Sequence, residues 1–441
     1  MDNIRIENLS RRGFLKQGLA LGAGLTLGLH LPATRADAMR AGPGIAGGEE
    51  RVAAPFEPNA FVRIAPDDTV TVIVKHLEMG QGTFTGLPTL VAEELDARWD
   101  QVRAEGAPAD SGRYNNLFWG PTQGTGGSTA MANSWEQLRK AGAATRAMLV
   151  EAAASQWGVA VGEIAVRDGV LSHPSGPQAS FGELAQAAAA LPVPESVKLK
   201  DPSEFRLIGN PAIRRKDVGK TDGSALFTQD VRLPGMLTAM VAHPPRFGAR
   251  VDAFDPAPAL AVKGVSQVVQ IPSGVAVLAG DTWSAKLGRD ALTSSIRWDE
   301  SEAFKLGSAE ILAEYRELAR TPGKVARSEG DAEAALTSAA RVLEAEYSVP
   351  YLAHAALESI DCVIAPDGDG VRVINGEQFQ TMDQAAVAKA LGLQPDRVRI
   401  EMLFAGGSFG RRANPQSDYV VEAAEVFKAA GGKVPVKLQW T

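Results

Sequence analysis

The stretch Arg397-Val398-Arg399-Ile400-Glu401-Met402-Leu403-Phe404, running into Gly406-Gly407-Ser408-Phe409-Gly410, decides how the rest of the chain is read. The first eight residues predict a strand, and the glycines stop it. Ser417 or Asp418 then opens a helix through Val421 and Val426. Upstream, Cys362–Ile364 and Val371–Ile374 flank a turn at Pro366-Asp367-Gly368 and predict a hairpin. The loop Asn375-Gly376-Glu377-Gln378-Phe379 follows, then a helical pattern through Val387, Leu391 and Leu393.

The same order occurs near the start. Phe61–Ile64 and Val70–Lys75 flank a turn at Pro66-Asp67-Asp68, and the loop His76-Leu77-Glu78-Met79-Gly80-Gln81-Gly82 comes next. Leu87, Leu90, Val91 and Leu95 recur at helical spacing, a strand covers Gln101–Glu105, and Gly124-Thr125-Gly126-Gly127-Ser128-Thr129 follows. Asn133 or Ser134 is the expected cap of a long helix through Trp135, Leu138, Thr145 and Leu149. Short strings repeat as well, among them Ala65-Pro66-Asp67 with Ala365-Pro366-Asp367. The expected fold is α+β: two copies of one α/β unit with a different α/β domain between them. The expected divisions are 39–57 (linker), 58–205 (first unit), 206–300 (inserted domain), 301–340 (polar helical connector) and 341–441 (second unit).

A glycine loop between a strand and a helix N-terminus can hold an anion, because its N–H groups point outward and the helix dipole favours negative charge. Taken singly, each loop is as readily an ordinary turn. Two such loops, each beside a loop carrying Gln81 or Gln378, could grip one large phosphate-containing cofactor from both sides. Arg411 and Arg412 are then either surface charges or phosphate donors. Gly406-Gly407-Ser408-Phe409-Gly410 also fits the nucleophile elbow of serine hydrolases, with Ser408 as nucleophile, but no histidine follows His354. His354 and Glu358 would share a face if helical, as a structural pair.

Composition narrows the classes. The net charge is −7 with both signs scattered, so nothing points to nucleic acid. Cys362 is the single cysteine, which leaves no thiolate set for zinc or an iron–sulfur cluster, and the five histidines have no ligand spacing, so no protein-ligated metal is expected. At the N-terminus, Ser10-Arg11-Arg12-Gly13-Phe14-Leu15-Lys16, a short apolar run from Gly18 to Leu31 and Ala36-Asp37-Ala38 have the layout of a secretory signal over 1–38. Its paired arginines resemble the twin-arginine signal, a route that exports folded proteins, so a periplasmic location is expected, with any membrane association made through a partner.

Four segments together resemble the molybdopterin-binding large subunit of the xanthine oxidase superfamily, in its isoquinoline 1-oxidoreductase β-subunit branch. They are Glu78-Met79-Gly80-Gln81-Gly82, Gly126-Gly127-Ser128-Thr129, the 218–300 region (similar to the family's hammerhead domain), and Gly376-Glu377-Gln378 with Gly406-Gly407-Ser408-Phe409-Gly410-Arg411. The resemblance implies a molybdenum–pyranopterin cofactor, in a dinucleotide form, held without any protein ligand to the metal. It implies a hydroxylation of N-heterocycles or aldehydes with water as the oxygen source. Gln378 would hydrogen-bond a molybdenum oxygen as the catalytic side chain. Gly80, Gln81, Gly82, Gly127, Ser128 and Thr129, with Gly407, Phe409, Gly410 and Arg411, would contact the cofactor. A small 2Fe–2S subunit, and a cytochrome c after it, would take the electrons.

Two departures stand out. Phe409-Gly410-Arg411-Arg412-Ala413 replaces the FGGKE string of purine-oxidising relatives, which argues against purines. Val436–Trp440 reads as a strand in mid-domain, so a C-terminal half with the family's glutamate base is expected beyond Thr441, and the chain alone is expected not to turn over. The competing readings are a serine hydrolase built on Ser408 and a non-catalytic exported cofactor-binding protein.

Overall fold

The computed structural model describes residues 56–213, 215–216 and 219–441. The expected signal over 1–38 and nearly all of the 39–57 linker lie outside the described residues. The fold mixes helix and sheet and divides into two compact units, one of residues up to Ala239 with Ala356–Thr441, the other Met240–Ala355.

In the first unit the hairpin Val62–Ile64 with Val70–Val74 is antiparallel, with Ile64 opposite Val70. The chain then makes the helix Thr83–Leu95 and the 3₁₀ turn Trp99–Gln101, and returns as Val102–Gly106, parallel to the second hairpin strand with Val70 beside Val102. The later segment repeats this order. Asp361–Asp367 and Gly370–Asn375 pair antiparallel, the helix Gln380–Leu391 and the turn Pro395–Arg397 follow, and Val398–Met402 lies parallel with Val371 beside Val398. A parallel neighbour needs a crossover, and the helix supplies it in both copies. Val436–Gln439 adds a strand on the far side of Asp361–Asp367 and runs parallel to Leu237–Ala239.

The first core is built by the strand faces of Val62, Ile64, Val70, Val72 and Val102 against Leu87, Leu90, Val91 and Leu95, all buried. The helix Ala130–Trp157 packs on Thr83–Leu95 at close range. A Cβ on Gly142 would stand 2.5 Å from the Val91 carbonyl oxygen, so only glycine allows this approach. That helix is capped at Thr129, four residues before the first expected cap, Asn133. Asn133 and Ser134 are buried inside it, where Asn133 meets the His76 ring at 3.1 Å rather than ending the helix. A small sheet of Ala165–Arg167, Val170–Ser172 and Gln178–Ser180 leads into the helix Phe181–Ala189, capped by Ser180.

The second unit holds the antiparallel pair Val265–Ile271 and Gly274–Ala279, a second pair of Arg250–Phe254 with Ile296–Asp299, and the helix Thr282–Leu292. Ala259, Val275, Val277, Leu292 and Ile296 form its small core. The helices Ser308–Ala319 and Ala332–Ser338 bury no residue. This unit starts at Met240 rather than at 206, because residues 227–239 belong to the first unit. There Thr228 Oγ1 accepts the Gly376 N–H at 3.2 Å, and Lys437 Nζ donates to the Gln229 carbonyl at 2.7 Å.

Candidate cofactor site

Each copy in the first unit ends its hairpin and its return strand in loops, and four of these loops converge. In the first copy Glu78, 1% exposed, organises the loop. Its carboxylate accepts the N–H groups of Gly80 at 2.8 Å, Gly82 at 3.2 Å and Phe84 at 3.0 Å, and Lys220 Nζ lies 3.0 Å away. Burial alone would raise the Glu78 pKa, but these donors hold it below the ordinary carboxylate value. Gln81 braces the same loop, accepting from Met79 N–H at 2.8 Å and donating to the Leu77 carbonyl at 2.7 Å. Gly80, at φ 109°, has open space where a Cβ would stand.

The neighbouring loop is pinned from both ends. Thr125 Oγ1 accepts the Leu77 N–H at 2.9 Å, and Thr129 Oγ1 donates to the Gly126 carbonyl at 2.8 Å. Between them Gly127 and Ser128 adopt left-handed backbone at φ 60° and 55° and stay exposed. Behind the loop, His76 is buried and held neutral, its pKa lowered to about 3 by burial and by adjacent Lys75.

The second copy meets the first through Gln378 and Thr125. The Thr125 N–H donates to the Gln378 carbonyl at 3.0 Å, and Gln378 Nε2 donates to the Thr125 carbonyl at 2.5 Å. The Ala405 N–H donates to the Glu78 carbonyl at 3.0 Å, so the return-strand end of the second copy is tied to the first copy's hairpin loop. Ser408 Oγ donates to Gln378 Oε1 at 2.6 Å. Phe409, at φ 54° and 72% exposed, stands at the loop's crest in backbone that bulky residues rarely adopt. Gly410 follows at φ 88° with open space around it.

The arginines resolve differently from one another. Arg412 is wholly buried and pairs with Glu358 at 3.0 Å and Asp361 at 3.3 Å. Burial and neighbouring Glu358 push the Asp361 pKa up to about 8 despite the guanidinium. Arg411 is committed to Asp418 at 2.6 Å and lies over the Trp440 ring at 5.0 Å. Arg412 is therefore the structural counter-charge of two buried carboxyls rather than a surface charge or a phosphate donor. Residues 350–356 carry no helix, so His354 and Glu358 do not form a helical pair; the Glu358 carboxylate instead receives the N–H groups of Gly406 at 2.7 Å and Thr228 at 3.1 Å. The hydrolase elbow fails on geometry: Ser408 is 2% exposed, and its hydroxyl is spent on Gln378 rather than presented to solvent. Sequence reasoning missed Glu78, Thr125 and Lys220. For Glu78 the signal was present, an acid two residues ahead of Gly80 at a helix N-terminus.

The convergent loops fit a large anionic ligand. Among the described residues, the N–H groups of Gly127, Ser128, Phe409 and Gly410 meet no protein acceptor. Gln123, at the base of the first glycine loop, is fully buried with Nε2 unpaired. Among the described residues no group of three or more His, Cys, Asp or Glu could hold a metal.

Comparison with known proteins gives the family. Models of the molybdopterin cofactor-binding domain match residues 30–228 and 318–441. The chain belongs to the xanthine oxidase superfamily, as a molybdopterin-binding large subunit. It is 32% identical to the beta subunit of isoquinoline 1-oxidoreductase from Brevundimonas diminuta, over 97% of this chain and 59% of that protein. It is 33% identical to a membrane-bound aldehyde dehydrogenase of Gluconacetobacter polyoxogenes, over 98% of this chain and 55% of that protein. It is 30% identical to a nicotinate dehydrogenase subunit of Pseudomonas putida, over 86% of this chain and 32% of that protein. The chain thus spans little more than half the length of the first two relatives.

Proposed function

We propose that this chain contributes the cofactor-holding part of a molybdenum hydroxylase acting on N-heterocycles or aldehydes. The observation that carries this is the two-way clasp between Thr125 and Gln378, which sets an amide side chain between two glycine loops with unspent N–H donors. The bound molybdenum–pyranopterin would supply the oxidising centre and the water-derived oxygen. Gly127 and Ser128 from one side, and Gly407, Phe409 and Gly410 from the other, would receive its anionic and carbonyl groups through backbone N–H groups, while the Thr129 N–H is given to the Gly126 carbonyl at 3.2 Å. Gly80, Gln81 and Gly82 would shape the adjoining wall, their polar groups being largely committed to Glu78, Met79 and Leu77. The dinucleotide form of the cofactor is proposed from the family resemblance alone.

Gln378, 2% exposed, would be the side chain that reaches the metal centre. One Nε2 hydrogen goes to Thr125 and the other remains to donate. Electrons would leave through a small 2Fe–2S subunit and then a cytochrome c, since the one cysteine of this chain, Cys362, is buried in a strand. Export by the twin-arginine route to the periplasm is supported by the Arg11-Arg12 pattern, and a hammerhead-type domain by the resemblance of the 218–300 region. The test is oxidation of isoquinoline, nicotinate and a simple aldehyde by the purified holoenzyme with a dye acceptor in isotope-labelled water. Label in the product supports the assignment, and dye reduction without label refutes it.

A further inference from the structure

The Gly-x-Ser-x-Gly string leaves a buried hydroxyl that nucleophilic chemistry does not use. Ser408 Oγ lies 2.6 Å from Gln378 Oε1 and accepts the Arg412 N–H at 3.1 Å. Because Arg412 supplies a hydrogen to Oγ, the hydroxyl hydrogen is free to go to Oε1, where the amide can only accept. On the other side Gln378 Nε2 faces the Thr125 carbonyl at 2.5 Å. Flipping the amide would set Oε1 against that carbonyl oxygen, two acceptors in contact. Both ends of the amide are therefore assigned. The backbone that carries Ser408 is fixed in turn, since Arg412 is anchored by Glu358 and Asp361.

We infer that Ser408 is a positioning residue for Gln378: its hydroxyl holds the amide in the single rotamer and orientation that turns the second Nε2 hydrogen toward the cofactor. A glycine or alanine at this place in the loop would fill the turn but leave Oε1 without a donor, and the amide held through Nε2 alone. Misplacing a catalytic donor by about an ångström costs rate far more than binding. This inference rests on the assignment of Gln378 to the molybdenum site.

The experiment compares Ser408→Ala and Ser408→Thr with the wild-type holoenzyme. Molybdenum content and thermal midpoint come first, then kcat, KM and the Mo(V) electron paramagnetic resonance spectrum. A crystal structure of Ser408→Ala at high resolution reads the Gln378 rotamer without turnover. The expected result is full molybdenum loading in both variants. In Ser408→Ala, kcat should fall roughly ten- to a hundredfold with KM little changed, the Mo(V) signal should shift, and Gln378 should occupy a second rotamer. Ser408→Thr should restore all three. The inference is overturned if Ser408→Ala keeps the wild-type spectrum, rotamer and kcat, or if Ser408→Thr fails as completely as alanine. If the wild-type protein binds no molybdenum, the cofactor assignment falls instead. The rotamer comparison still decides whether Ser408 holds the amide.

Discussion

Thr125 and Gln378 hold each other twice, backbone N–H to carbonyl at 3.0 Å and side-chain Nε2 to carbonyl at 2.5 Å. Thr125 lies in the glycine loop of the first copy and Gln378 in the loop that follows the hairpin of the second, so this pair is where the two copies meet as a site. Gln378→Ala removes the side-chain donor and strands a buried Thr125 carbonyl. The expected cost is about 1–3 kcal/mol of stability together with a large loss of kcat, read by urea titration and by turnover. Unchanged stability would show that the clasp does not hold the loops.

Arg412 answers for two buried carboxyls. Replacing it by Met leaves Glu358 and Asp361 with no counter-charge, a loss of roughly 3–5 kcal/mol. Burial and Glu358 raise the folded-state pKa of Asp361 to about 8. A raised carboxyl favours the fold at low pH, and that stabilisation fades as pH climbs through the folded pKa. Without the guanidinium Asp361 would ionise later still, so the deficit of Arg412→Met against wild type should widen as pH climbs past about 8, where Asp361 ionises only in the wild type. Adding Asp361→Asn should recover part of it. A pH-independent deficit would contradict this account.

Lys75 is 1% exposed, and its amine donates to the Asn115 carbonyl at 3.0 Å and to Gln137 Oε1 at 2.7 Å. Burial lowers its pKa to about 7. In the unfolded chain it titrates near 10.4, so between the two values the unfolded state binds the extra proton and stability rises with pH, by at most about 1.4 kcal/mol per pH unit. Wild type should gain on Lys75→Met from pH 7 to 9 in chemical denaturation. Parallel curves would mean that the amine is not dehydrated.

Gly142 sets the spacing of two helices. Alanine is the better helix former by about 1 kcal/mol, yet its Cβ would stand 2.5 Å from the Val91 oxygen. Gly142→Ala should therefore destabilise by roughly 1–3 kcal/mol, and a raised melting temperature would refute the close approach.

The elements were legible where a local period exists. The hairpins, both crossover helices and the return strands follow from alternation and helical spacing, and the loops that carry the chosen residues are joined through Thr125 with Gln378 and Glu78 with Ala405. Three features were not legible, for physical reasons. The start of the helix Ala130–Trp157 hides because Asn133 looks like a cap but serves His76 from inside. The strands at 165–180 have only three residues each, too short to show a period. Arg412 looks like its neighbour Arg411, and only the fold brings Glu358 and Asp361 to it from about fifty residues away.

The most direct test of the account is the molybdenum and pterin content of the protein purified from its own host, by elemental analysis and fluorescence of the oxidised pterin. The account predicts about one molybdenum and one pterin per chain, both lost when Gly407 and Gly410 are replaced by bulky residues in a protein that remains folded. A ratio near zero in the wild type would contradict it, leaving the two glycine loops as turns that carry no cofactor.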